Sequence, residues 1–119
     1  MNRKLVSNAL RDLSLLFVLV VLASSSLASV TMTGDALPAG AATQPDPWAV
    51  GGSLKVGNSS HGTLNVKAGG MVSNSTGRIG NQAGSTGVVT VSGASSQWNN
   101  SDRLVVGRSG DGTLIVEAL

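Results

Sequence analysis

Residues Ser53-Leu54-Lys55-Val56-Gly57 and Gly62-Thr63-Leu64-Asn65-Val66 return as Arg103-Leu104-Val105-Val106-Gly107 and Gly112-Thr113-Leu114-Ile115-Val116, at a constant offset of 50 residues. A degenerate copy lies between them. Ile79-Gly80 answers Val56-Gly57, and Gly87-Val88-Val89-Thr90-Val91 answers the run from Gly62 to Val66. A fixed period in a Gly-rich, β-branched sequence marks a stacked β architecture, because one unit cannot bury its apolar face alone. Such a motif is a building block, and it specifies construction more than chemistry.

The apolar residues of this region come in bursts of period two: Leu54-x-Val56, Leu64-x-Val66, Val89-x-Val91, Leu104-x-Val106 and Leu114-x-Val116. Alternation over a few residues, bounded by Gly, Asn and Ser, predicts short strands and turns. Fourteen of the 16 glycines fall between Gly51 and Gly112, a density that breaks helices. The expected class is all-β. Aligning Val56, Ile79 and Val106 gives steps of 23 and 27 residues, with the difference assigned to loops. The same alignment stacks Leu64 and Val66 under Val89 and Val91, then under Leu114 and Val116, and brings Val72 beneath Trp98. A turn of that length holding three short strands matches one coil of a parallel β-solenoid, here right-handed and of about two and a half coils. Gly57, Gly80 and Gly107 are expected at corners, where positive φ is needed. Asn58 and Asn81 follow two of them and can form an amide ladder, which Arg108 would break.

Upstream, the texture differs. Arg3, Lys4 and Arg11 precede the apolar run Leu13 to Ala23, and Ser26-Leu27-Ala28 has the small-x-small spacing of a cleavage point. This is the layout of a secretory signal peptide over 1–28, with a second cleavage option near Ala39-Gly40-Ala41, as late as residue 42. The alternative is a retained anchor, since Leu13 to Gly34 carries no charge. Residues 29–50 hold all three prolines and no sustained period, so a disordered linker is expected there. The solenoid repeats are placed at 51–119.

Composition closes several routes. With no cysteine there is no disulfide framework and no thiolate chemistry. A small exported domain then needs another source of stability. The formal charge of +2 is carried largely by the leader; from Pro45 onward five basic residues meet four acidic ones without clustering. No basic stripe or aromatic platform for nucleic acid results.

The pattern Leu-x-Val-Gly (Leu54 to Gly57), Gly-Thr-Leu-x-Val (Gly62 to Val66), Ala-Gly-Gly-x-Val (Ala68, Gly69, Gly70 to Val72), Ile79-Gly80, Gly84 to Gly93 and Ser96-Gln97-Trp98 resembles the autotransporter (type V secretion) and PEP-CTERM-associated repeat. A second copy begins at Leu104, and the resemblance covers about 66 of 119 residues. It implies a β-helical passenger segment of a bacterial surface or secreted protein. Such passengers are usually longer and many precede a membrane barrel, so this chain reads as truncated at Glu117-Ala118-Leu119.

Catalytic candidates are few. His61, the single histidine, sits in an expected turn with no orienting carboxylate near it in sequence. Asp102 and Asp111 flank one strand, which would hold them too far apart for glycoside chemistry. Gly110-Asp111-Gly112 lacks the acidic partners and tandem copies of a calcium nonapeptide. Trp98 is expected in the interior, its indole N–H finding a partner, and Trp48 as a partial cover on the first coil. The expectation is therefore a non-enzymatic, cofactor-free and metal-free exported module, at the cell surface, outer membrane or outside the cell. It would serve as stalk or adhesive passenger, and its partners would be further coils, homotypic strand edges, or host and matrix surface glycans. The alternatives are a polysaccharide-acting or polysaccharide-binding solenoid and a membrane-anchored periplasmic protein.

Overall fold

A computed structural model describes residues 27–40 and 42–117. Most of the expected signal segment lies outside them. The described chain is all-β. Nine strands run in order: β1 (Ser29–Gly34), β2 (Ala36–Leu37), β3 (Trp48–Ala49), β4 (Leu54–Val56), β5 (His61–Lys67), β6 (Met71–Ile79), β7 (Thr86–Ser92), β8 (Gln97–Val106) and β9 (Asp111–Glu117). They form two mixed sheets. One has the order β1-β5-β7-β9; the other has β2-β4-β6-β3, with β8 also on β6.

The repeat dictates the pairing. β5, β7 and β9 lie parallel with Leu64, Val89 and Leu114 in one row and Val66, Val91 and Val116 in the next. β4, β6 and β8 lie parallel with Val56, Ile79 and Val106 in a row, and Val72 beside Trp98. Glycines terminate the first strand of each repeat: Gly57, Gly80 and Gly107 all have φ near +70°, a region closed to most side chains. Loops absorb only part of the uneven spacing between repeats. One extra residue sits inside β8, where the register shifts between Asn74 and Thr76 as a bulge.

Alternate residues face inward and build one core: Leu54, Val56, Leu64, Val66, Val72, Ile79 and Val89 are all at or near zero exposure. Trp98 and Leu114 pack against it partly buried. A fully buried Leu or Val side chain contributes roughly 1.5–3 kcal/mol, so these rows are the principal source of stability in a cysteine-free chain.

The expected linker over 29–50 is corrected. β1 pairs antiparallel with β5 and β2 antiparallel with β4, and Val30, Met32, Ala36 and Trp48 belong to the core. The 42–44 segment then covers β1, through Met32 N–H to Ala42 C=O (2.7 Å) and Gln44 N–H to Val30 C=O (2.8 Å). Proline-rich sequence ordered itself because the first repeat presents a row of unpaired edge groups that any strand-forming segment can satisfy. Trp48 is 9% exposed and lies parallel beside Val72 in the same row, so it belongs to the core and is more than a cover.

Candidate functional site

Three surfaces qualify: the polar ladders along the parallel strands, the hollows beside them, and the two ends of the sheets. The ladders come first because parallel, in-register strands place equivalent residues about 4.8 Å apart. Asn81 Nδ2 donates to Asn58 Oδ1 at 2.8 Å. Arg108 does not break this ladder: its Nη1 donates to Asn81 Oδ1 at 3.4 Å and its backbone N–H to Gly80 C=O at 3.0 Å. A guanidinium reaches where an amide would, so the column continues.

A second ladder escaped the sequence reading. Asn74 is buried, its Nδ2 donating to Asn100 Oδ1 at 2.7 Å while its Oδ1 accepts the Trp98 indole N–H at 2.6 Å. Both polar ends of one buried amide are therefore used, and the indole has the partner expected of it. Gly77 makes room for that ring, since a Cβ there would lie 2.8 Å from Trp98 Cζ2. The 26-residue spacing of Asn74 and Asn100 equals that of Val72 and Trp98, which is the signal that could have found it.

Asp35 was also missed. Its carboxylate accepts the backbone N–H groups of Ser59 and Ser60 (2.8 Å for Ser60) and the Ser59 hydroxyl. The two backbone donors hold it below the ordinary carboxylate value of 3.8. Its C=O takes the Gly57 N–H at 2.7 Å. No local pattern announces this contact, because the partners lie 24 and 25 residues away.

The remaining candidates stay apart. His61 is the first residue of β5 rather than a turn residue; it is exposed, and its ring nitrogen lies 3.5 Å from Thr63 Oγ1. Asp102 pairs with Arg103 at 3.5 Å and accepts from Thr76 Oγ1 at 3.0 Å. Among the described residues no group of three or more His, Asp or Glu converges on a point. No helix among them is long and apolar enough to cross a membrane.

Two surface hollows bear on the site, and the first borders the Asn74–Asn100 ladder. One, of about 320 Å³, runs along Ser73, Ser75, Asn99 and Ser101 beside Ala49. The other, of about 620 Å³, lies against Leu27, Ser29, Lys67 and Ser92.

The two ends of the sheets differ. At one, β1 closes the edge of β5, β2 that of β4, and 42–44 lies on the outer side of β1. At the other, Leu104 (37%), Val106 (44%) and Val116 (55%) are exposed, and Leu104 and Val116 line a cavity of about 180 Å³ together with Val91, Ser96, Trp98 and Leu114. Comparisons with protein-family models, curated proteins and solved structures find no match to this chain.

Proposed function

We propose that this chain is an exported, non-catalytic segment of a right-handed parallel β-solenoid, a stalk or adhesive passenger of an autotransporter-like bacterial surface protein. The supporting observation is the set of parallel pairings whose rows repeat the 50-residue sequence offset on both sheets, with amide ladders running along the same direction as one apolar stack. A stack of this kind gives length and flat walls at little sequence complexity. Its side chains bond one another along the axis and leave little poised for reaction.

The test is to produce the full chain in a Gram-negative host and examine the exported fraction. Loss of the leader by intact mass, a β-type far-UV spectrum and a cooperative melt are expected. A product that keeps its leader, or that is a random coil after export, overturns the reading.

A second reading, binding of neutral polysaccharide, draws on the hydroxyl- and amide-lined hollow at Ser73, Ser75, Asn99 and Ser101. Retention of the chain on an insoluble neutral glucan, abolished by Asn99→Asp with Ser101→Asp, would favour it over the stalk.

A further inference from the structure

We propose that the 29–44 segment is a plug, and that once it is displaced a second copy of this chain docks head to tail, its first repeat stacking in parallel on β8 and β9. This rests on the solenoid reading above.

The plug imitates a preceding coil. Gly80 N–H donates to Val56 C=O (2.9 Å) and Gly107 N–H to Ile79 C=O (2.7 Å), each one coil back; Gly57 N–H donates instead to Asp35 C=O (2.7 Å). The parallel extends to the strand openings. A Cβ on Gly87 would press on Val56 C=O and one on Gly112 on Ile79 C=O, while one on Gly62 would press on Asp35 C=O. The first coil is thus built to receive a coil beneath it, and 29–44 occupies that place with β1 and β2 running antiparallel. The 42–44 segment bonds the outer side of β1 through Val30 and Met32, so that edge is already taken.

The far edge carries the complementary surface. Continuing the row order of the repeats, the copy's Leu54, Val56, Leu64 and Val66 fall on Leu104, Val106, Leu114 and Val116. Its Trp48-Ala49 falls on Trp98-Asn99, because Trp48, Val72 and Trp98 already form one row. The copy therefore brings its own strand to the face of β8. The edge residues agree: the row Lys67-Ser92-Glu117 would continue with Lys67 of the copy, opposite in charge to Glu117, and the row His61-Thr86-Asp111 with its His61. The competing contact, two β9 strands pairing antiparallel about Leu114, sets Asp111 against Glu117 twice, and like charges directly opposed are destabilising. A head-to-tail contact does not close on itself, so it extends into a filament unless the rotation closes a ring.

Two processing outcomes then differ in assembly. Cleavage after Ala28 leaves the plug whole. Cleavage at the small-residue stretch near Ala39 and Gly40, both exposed, removes β1 and β2.

The experiment compares the exported full chain with Met32→Asp, which places a charge under β1 where Met32 is 5% exposed. A second unplugged form carries an introduced protease site at Ala39-Gly40 and is cut after purification. Sedimentation velocity over a concentration series is read beside far-UV circular dichroism. The unaltered chain, plug retained, is expected as a monomer. Both unplugged forms are expected to keep β structure and to shift through dimer and trimer to longer species as concentration rises. Adding Val116→Lys should return Met32→Asp to monomer. Adding Glu117→Lys should weaken assembly several-fold, and Lys67→Glu added to that should restore it. The proposal is overturned if both unplugged forms stay folded and monomeric, if both unfold, or if the plugged chain forms the same oligomers. It is also overturned if the charge exchange restores nothing. In each case the folded state of the unaltered chain still decides the solenoid reading separately.

Discussion

Leu64 and Val66 in the first repeat and Leu114 and Val116 in the third occupy the same rows, yet their surroundings diverge. Leu64 and Val66 are at 0% exposure, whereas Val116 is at 55%; likewise Val56 is at 0% and Val106 at 44%. The residues are nearly the same and the local strand is the same. What differs is whether a strand lies on each side. In a stack of repeats, burial belongs to the interface between neighbours and only secondarily to the residue. The first repeat has β1 and β2 beneath it and the second repeat above; among the described residues the third has a neighbour on one side.

The sharpest way to break this comparison is to place one charge at equivalent positions. Val91→Asp puts an unpaired carboxylate between β5 and β9, where Val91 is 5% exposed, and should abolish the cooperative melt, whereas Val116→Asp, already half in solvent, should leave the melt nearly in place. Thermal unfolding followed by circular dichroism reads both. If the two variants lose equal stability, the contrast between the ends is wrong.

Smaller truncations refine it. Leu64→Ala should cost about 2–5 kcal/mol, as buried Leu truncations do, and Leu114→Ala under about half of that, measured by urea unfolding. Asn74→Ala strands the Trp98 indole N–H and frees Asn100; a loss of about 1–3 kcal/mol is expected, with a change in tryptophan fluorescence.

The smallest effect concerns the plug's one charged anchor. Asp35 has a folded-state value below its ordinary 3.8, so its contribution is complete above that value and is lost as pH falls through the lower folded value. Melting temperature should therefore drop in strong acid for the native chain. In Asp35→Asn that acid-dependent part should shrink, with little change at neutral pH beyond the lost charge. An acid profile identical in the two proteins would remove Asp35 from the anchoring role.

Legibility followed the repeat. The rows of Val56, Ile79 and Val106, and of Leu64, Val89 and Leu114, are readable because equal spacing and equal residue type coincide over separate motifs. The Asn58-Asn81 ladder came with them. Arg108 was misjudged because identity was compared where reach mattered: its guanidinium donates from farther out to the same amide oxygen. Asn74 was legible in principle, through a spacing shared with its neighbours, but a polar residue on a strand draws no attention until its burial is seen. The bulge in β8 was hidden by loops that absorb length equally well on paper.

The 29–44 segment marks the boundary of what the sequence alone determined. Val30-x-Met32 is one pair of alternating residues among Ser, Thr, Pro and Ala, too short to separate strand from coil by period. Its structure comes from elsewhere: the first repeat leaves edge N–H and C=O groups and an apolar row uncovered, and the nearest segment able to run alongside satisfies both. The period, the all-β class and the alignment of the rows are readable from the residues, because those are properties of spacing. Which end is closed, which residues are buried at each end, and the bond from Asp35 to a turn 24 residues away emerge from the folded molecule. Those depend on where an edge is left free, and a free edge exists only once the repeats have stacked.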